Sequence, residues 1–193
     1  AAGHPAALDA METPLGCLFR AEGPDSPLFI HVATAVNTLW KVANARDNLR
    51  GDPRYARLLE LVRSRCRAFR AHAVANVVHG LGALCADQGA DDVDAETAGE
   101  LMLAVEREID SMIPQAVANV YNGLTKLPAA AAAMSLERWR RLSEAASRFA
   151  AEMNSQDIAN TLNALGKIDA AAEVISSGTG WSLAVLAKDT PAA

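Results

Sequence analysis

Asn119, Asn122 and Lys126 stand at i, i+3 and i+7, and Asn160, Asn163 and Lys167 repeat the set 41 residues later. On a helix this spacing gathers two amides and an ammonium within about 60° of arc. Earlier in the chain the same positions hold Asn76, His79 and Ala83, and before those Thr34, Asn37 and Lys41. A carboxamide donates and accepts at once, so a row of them suits peptide backbones and base edges alike, and lysines pair with phosphate or carboxylate. Asn is a mediocre helix former, so its recurrence inside a helix calls for a reason. Two are open: a recognition surface, or an amide ladder in which each Asn bonds the backbone of the neighbouring unit and fixes the repeat spacing.

Patterns for covalent chemistry are missing. The chain has no phosphate-cradling glycine loop, no G-x-S-x-G and no H-E-x-x-H. Cys17, Cys66 and Cys85 form no paired spacing with each other or with His4, His31, His72 and His79. The sequence therefore predicts no enzyme, no cofactor and no metal site. Cys66 falls on an apolar repeat position and reads as a small buried hydrophobe.

The elements that must position the polar stripe are set by a recurring phrase: VATAVNTLWKVA (32–43), AVANVVHGLGAL (73–84), AVANVYNGLTKL (116–127) and DIANTLNALGKI (157–168). Leu39, Leu81, Leu124 and Leu165 follow one another at 42, 43 and 41 residues. A fixed period of this size marks repeat architectures. In the third copy Val117, Val120, Tyr121, Leu124 and Leu127 fall on one helical stripe, opposite the polar one. Ala33, Ala75, Ala118 and Ala159 flank the stripe, where a small side chain lets a neighbouring helix come close. This first element of each unit is helix A.

A second periodic segment, helix B, follows with Tyr55, Leu58, Leu59, Val62, Cys66 and Phe69, then Ala98, Leu101, Met102, Val105, Ile109 and Met112. The third set is Trp139, Leu142, Ser143, Ala146, Ala150 and Met153, in the same register as helix A. Pro53 and Pro128 mark linkers from A to B, and Ser155 is the expected N-cap of the fourth helix A. Trp40, Trp139 and Trp181 read as packing residues, Trp40 the most exposed of them.

The predicted fold is all-α, an α-solenoid or superhelix of about four two-helix repeats with a period of 41–43 residues. Residues 1–30 form an irregular N-terminal segment or cap, 31–169 the repeats, and 170–193 a truncated last repeat or C-terminal cap. One unit cannot bury enough apolar surface to offset the entropy of ordering it, so the units must stack. Composition agrees, with 51% apolar and 5% aromatic residues. A net charge of −5 argues against strong non-specific nucleic-acid binding. The charge is uneven, with eight of eighteen basic residues between Arg46 and Arg70 and an acidic cluster from Asp87 to Glu100. The arginine run is either a phosphate-binding edge or a solvated face of ion pairs.

Two of the phrases, EMNSQDIANTLNALGKI (152–168) and PQAVANVYNGLTKLP (114–128), resemble the AMNxQxVANxLNALxKWP unit of the SKWP-repeat type III effectors of plant-pathogenic bacteria. Leu127 and Ile168 stand where that family has Trp. The phrase is also similar to the ANTLWALAKL helix of octotricopeptide-repeat proteins, with Asn37, His79, Asn122 and Asn163 in place of their Trp. The first resemblance implies a virulence protein secreted into a host cell, engaging a host macromolecule. The second implies a single-stranded RNA binder of chloroplast or mitochondrion, acting in RNA processing or translation. Period and second Asn favour the effector group; a scaffold inside a larger assembly is a third expectation. None of the three involves a membrane or a small-molecule substrate.

An amide ladder predicts that Asn119→Ala costs about 1–2 kcal/mol in urea unfolding. A recognition surface predicts that changing Asn122, Asn163, Lys126 and Lys167 together leaves the melting temperature near wild type and weakens ligand binding.

Overall fold

The computed structural model describes residues 28–42, 49–88, 93–169 and 171. They form eight α-helices: α1 (Leu28–Val42), α2 (Pro53–Arg65), α3 (Ala71–Gln88), α4 (Ala95–Glu108), α5 (Pro114–Leu124), α6 (Pro128–Ala132), α7 (Leu136–Phe149) and α8 (Ser155–Leu165). The fold is all-α, with no strand among the described residues. Of the cap segments expected at 1–30 and 170–193, residues 1–27, 170 and 172–193 lie outside them, as do Trp181, His4 and Cys17.

Local chemistry starts and stops the helices in register. Asp52, Asp94 and Ser135, again about one period apart, are the N-caps of α2, α4 and α7. Each side chain accepts from a backbone N–H of the first turn, at Arg54, Thr97 and Arg138 respectively. Such caps satisfy donors that the helix itself leaves orphaned. The bond from Thr97 also holds the Asp94 carboxyl below its usual range. Helices α2 and α4 both run into a 3₁₀ turn, Cys66–Ala68 and Ile109–Ser111.

Two sequence expectations change here. The N-cap of α8 is Asn154, one residue before Ser155: its side chain accepts from Gln156 and Asp157, and the Asp157 carboxylate accepts from the Asn154 N–H. That reciprocal box leaves Ser155 as the first helical residue. The third linker after Pro128 is itself helical, because Pro at the first position followed by four alanines forms the short α6, which packs against α4.

The four copies of helix A are α1, α3, α5 and α8. In that order each packs against the next, and α1, α3 and α5 also pack on α2, α4 and α7 of their own units. The predicted stripes supply the core. Val36, Val78 and Tyr121 are fully buried, as are Leu58, Leu101 and Leu142 on the B helices. In the third unit the pattern changes on both sides together: the buried Tyr121 hydroxyl meets Ser143 Oγ at 3.1 Å, at positions where the first two units have Val36 with Leu59 and Val78 with Met102. Burial pushes the Tyr121 phenol up to about 12 and the Cys66 thiol up to about 12, so neither ionises near neutral pH. Leu39, Leu81 and Leu124 are buried, whereas Leu165 is half-buried and Leu162 exposed, because α8 is in contact with α5 on one side.

Glycine sets the distance between A helices. A Cβ on Gly80 would lie 2.8 Å from Val36 Cγ1, and one on Gly123 would lie 2.5 Å from the Val78 carbonyl oxygen. A Cβ on Gly82 would lie 2.8 Å from the Gly123 carbonyl oxygen. Gly80 and Gly123 share one repeat position, which the buried Ala164 fills in the last unit and the exposed Thr38 in the first. Ala33, Ala75 and Ala118 are buried, and Ala159 is exposed.

Gly123→Ala is expected to cost about 2–3 kcal/mol in urea unfolding, because the added methyl meets backbone that cannot rotate away. Gly99→Ala, within α4 with nothing inside 4 Å, should instead stabilise by about 0.5–1 kcal/mol.

Candidate binding surface

The charges divide between the two rows of helices. On the B side, Arg63 and Arg67 reach Glu96 and Glu100 of α4 at 3.6 and 3.2 Å, and Arg70 reaches Glu108 at 3.7 Å. From the other neighbour, Arg138 and Arg141 reach Glu106 and Asp110 at 2.7 and 2.8 Å. Helix α4 is thus an acidic layer between two basic ones. Arg57 and Arg140 pair within their own helices, with Glu60 and Glu137. The arginine run is therefore a face of ion pairs, mostly between units and not along one helix. Exposed pairs of this kind are worth about 0–1 kcal/mol each. Glu108 is the exception: it is buried, accepts from the Ala71 N–H at 3.1 Å, and is held by Arg107 at 3.0 Å. It borders a cavity of about 360 Å³ lined also by Arg70, His72, Ser111 and Ile113, and its bonds tie α4 to the start of α3.

Lysine is distributed differently. Three of the four lysines, Lys41, Lys126 and Lys167, occupy one repeat position on the A side. None forms an ion pair among the described residues, and α1 and α5 contain no acidic residue. Lys41 lies 5.9 Å from the centroid of the Trp40 ring.

The amide positions behave unevenly. Asn76 is bonded to His72 at 2.9 Å within its helix, Asn160 accepts from Gln156 at 3.0 Å, and Asn119 makes no side-chain hydrogen bond among the described residues. The ladder of Asn to neighbouring backbone is thus absent from these units. A cross-unit bond forms instead at the second position: Asn122 Nδ2 lies 3.2 Å from His79 Nδ1, 43 residues away. The cost expected of Asn119→Ala falls accordingly to the ±0.5 kcal/mol usual for surface changes.

Around that bond the first three units converge. Trp40 is half-buried, its Nε1–H donates to Asn37 Oδ1 at 2.9 Å, and its ring meets His79 edge-on at 5.2 Å and 89°. Asn37, Lys41, His79, Asn122 and Lys126 are thereby brought together. Asn163 and Lys167 are exposed on the last helix, and among the described residues neither side chain is bonded to this group or to Asn160. The sequence alone assigns Trp40 only a packing role. Its place one residue before Lys41 on the polar stripe is the signal that points to more. His79 sits below its usual range because it is partly buried and because Lys126 and Lys41 act on it.

The chain matches no known family model, no curated protein and no solved structure.

Because folding lowers the His79 pKa, the unfolded chain binds more protons below about pH 6.5. Stability from this group is present above that pH and is lost as pH falls toward the folded value. Thermal unfolding of His79→Asn at pH 7.5 and 5.5 should show a smaller loss on acidification than wild type shows.

Proposed function

We propose that this chain is a non-catalytic binding module, an α-solenoid of about four two-helix repeats, that engages an extended partner along the polar face of its A helices. The successive packing of α1, α3, α5 and α8 supports the solenoid reading, as does the meeting of equivalent positions, Gly80 with Val36 and Gly123 with Val78, across the first two of these contacts. The observation that carries the function is the sorting of cations. Arg63, Arg67, Arg138 and Arg141 of the B row are paired with carboxylates of the adjacent unit, whereas the lysine column stands beside the amide column with no carboxylate partner among the described residues.

A column of unpaired ammonium groups beside hydrogen-bonding amides fits a partner with regularly spaced anions and polar edges. Single-stranded RNA has both. This favours the RNA-binding reading that the octotricopeptide resemblance implies. The net charge of −5 is offset locally, because Glu96, Glu100, Glu106, Glu108 and Asp110 are paired with arginines on the B side, away from the lysine column. The SKWP-type reading, a secreted effector engaging a host protein, assigns the same face to acidic segments of that protein.

The test is fluorescence anisotropy with a mixed-sequence single-stranded RNA at several salt concentrations. Replacing Lys41, Lys126 and Lys167 by Ala should weaken binding and reduce the salt slope by about 2, at about 0.7 for each phosphate no longer neutralised. Melting temperature should stay near wild type. No RNA binding at low salt would eliminate the RNA reading and leave the protein-partner one.

A further inference from the structure

We propose that Lys41, His79 and Lys126 form one anion subsite, which seats a phosphodiester group of single-stranded RNA and takes up a proton from solvent onto His79 as it does so. The RNA source rests on the function proposed above; the subsite itself rests on the following geometry.

Three units contribute one group each. Lys41 closes α1, His79 lies in the middle of α3, and Lys126 follows the end of α5. The His79 ring is fixed on two sides, by the Trp40 edge at 5.2 Å and by Asn122 Nδ2 at 3.2 Å. Trp40 is itself tethered through Nε1–H to Asn37. Because an amide N–H donates to Nδ1, the neutral ring carries its hydrogen on Nε2. The subsite thus offers two ammonium groups and one N–H donor, with no acceptor among these three groups in this state.

Among the described residues no carboxylate is seen to act on His79. From α1 the charge acting on His79 is Lys41, and from the α5 side it is Lys126. On α3 itself the other described titratable groups are His72, which is bonded to Asn76, and the buried Cys85. Helix α4 packs on α3 too, but its carboxylates Glu96, Glu100, Glu106 and Glu108 are held by Arg63, Arg67, Arg70, Arg107 and Arg138. Two cations beside a partly buried imidazole favour its neutral form. An anion between them reverses the sign of that field, so the ring accepts a proton. Asn122 accommodates the change by turning its amide, because Oδ1 then accepts from the new Nδ1–H. Other units carry Asn at the His79 position, so proton coupling belongs to this subsite alone.

The experiment has two arms at fixed ionic strength. In the first, anisotropy of labelled single-stranded RNA is measured from pH 8 to pH 5.5. Wild type should bind about tenfold more tightly at the acid end, corresponding to a change of about one pKa unit on binding. His79→Asn, which installs the residue of the other units, should bind with little pH dependence. In the second arm sulfate, whose charge is constant over this range, is titrated while NMR follows the His79 ring. Sulfate should raise the midpoint of His79 titration in wild type and leave it unmoved in Lys41→Ala/Lys126→Ala. RNA binding that is independent of pH, or equally pH-dependent in His79→Asn, overturns proton coupling while leaving the RNA reading intact. A sulfate effect without RNA binding removes RNA as the source and keeps the anion subsite. Failure of sulfate to move His79 overturns the subsite.

Discussion

The close approach of neighbouring A helices is the constraint on which the remaining structure depends. Side chains ordinarily hold packed helices about 8–10 Å apart. Here Gly80, Gly82 and Gly123 remove them where α1, α3 and α5 meet, so that backbone touches backbone. Only at such short range do residues from equivalent positions in successive units contact each other. The bond from Asn122 to His79 and the edge contact of Trp40 on His79 are direct consequences.

Charge is arranged around that packing in two layers with separate tasks. Arginine, with its planar fork, is used where carboxylates of the adjacent unit must be held in geometry. Lysine, a compact and well-hydrated charge, is placed where no partner awaits it within the described residues. A chain with a net negative charge can therefore keep one face cationic. The proposed binding function follows from this division and not from the overall composition.

Much of this was legible in the sequence, and the parts that were not share a cause. Periodicity marks both helices of the first three units, and the apolar sets at 55–69, 98–112 and 139–153 are almost wholly buried because they obey a rule local to one helix. The N-caps Asp52 and Asp94 carried a readable signal as well, since an acidic residue before an apolar-periodic run is a helix start. The role of glycine was hidden, because Gly80 and Gly123 look like weaknesses until the helix opposite each is known. The same holds for Arg138 with Glu106 and for Arg67 with Glu100, whose partners lie 32 and 33 residues away in the chain. The amide stripe was seen, but which of its positions crosses between units depended on a distance no single helix encodes. Helix α6 was missed because a proline followed by alanines reads equally well as a linker.

The most direct test of the account is a nuclear Overhauser measurement across the A helices. A Cβ built on Gly82 falls 2.9 Å from Gly123 Cα, so the α protons of the two glycines should give a strong cross-peak. The Trp40 indole and the His79 imidazole, at 5.2 Å, should give a weaker one. Absence of both, with the Trp40 and His79 signals resembling those of solvent-exposed rings, would contradict close packing of the A helices and everything built upon it.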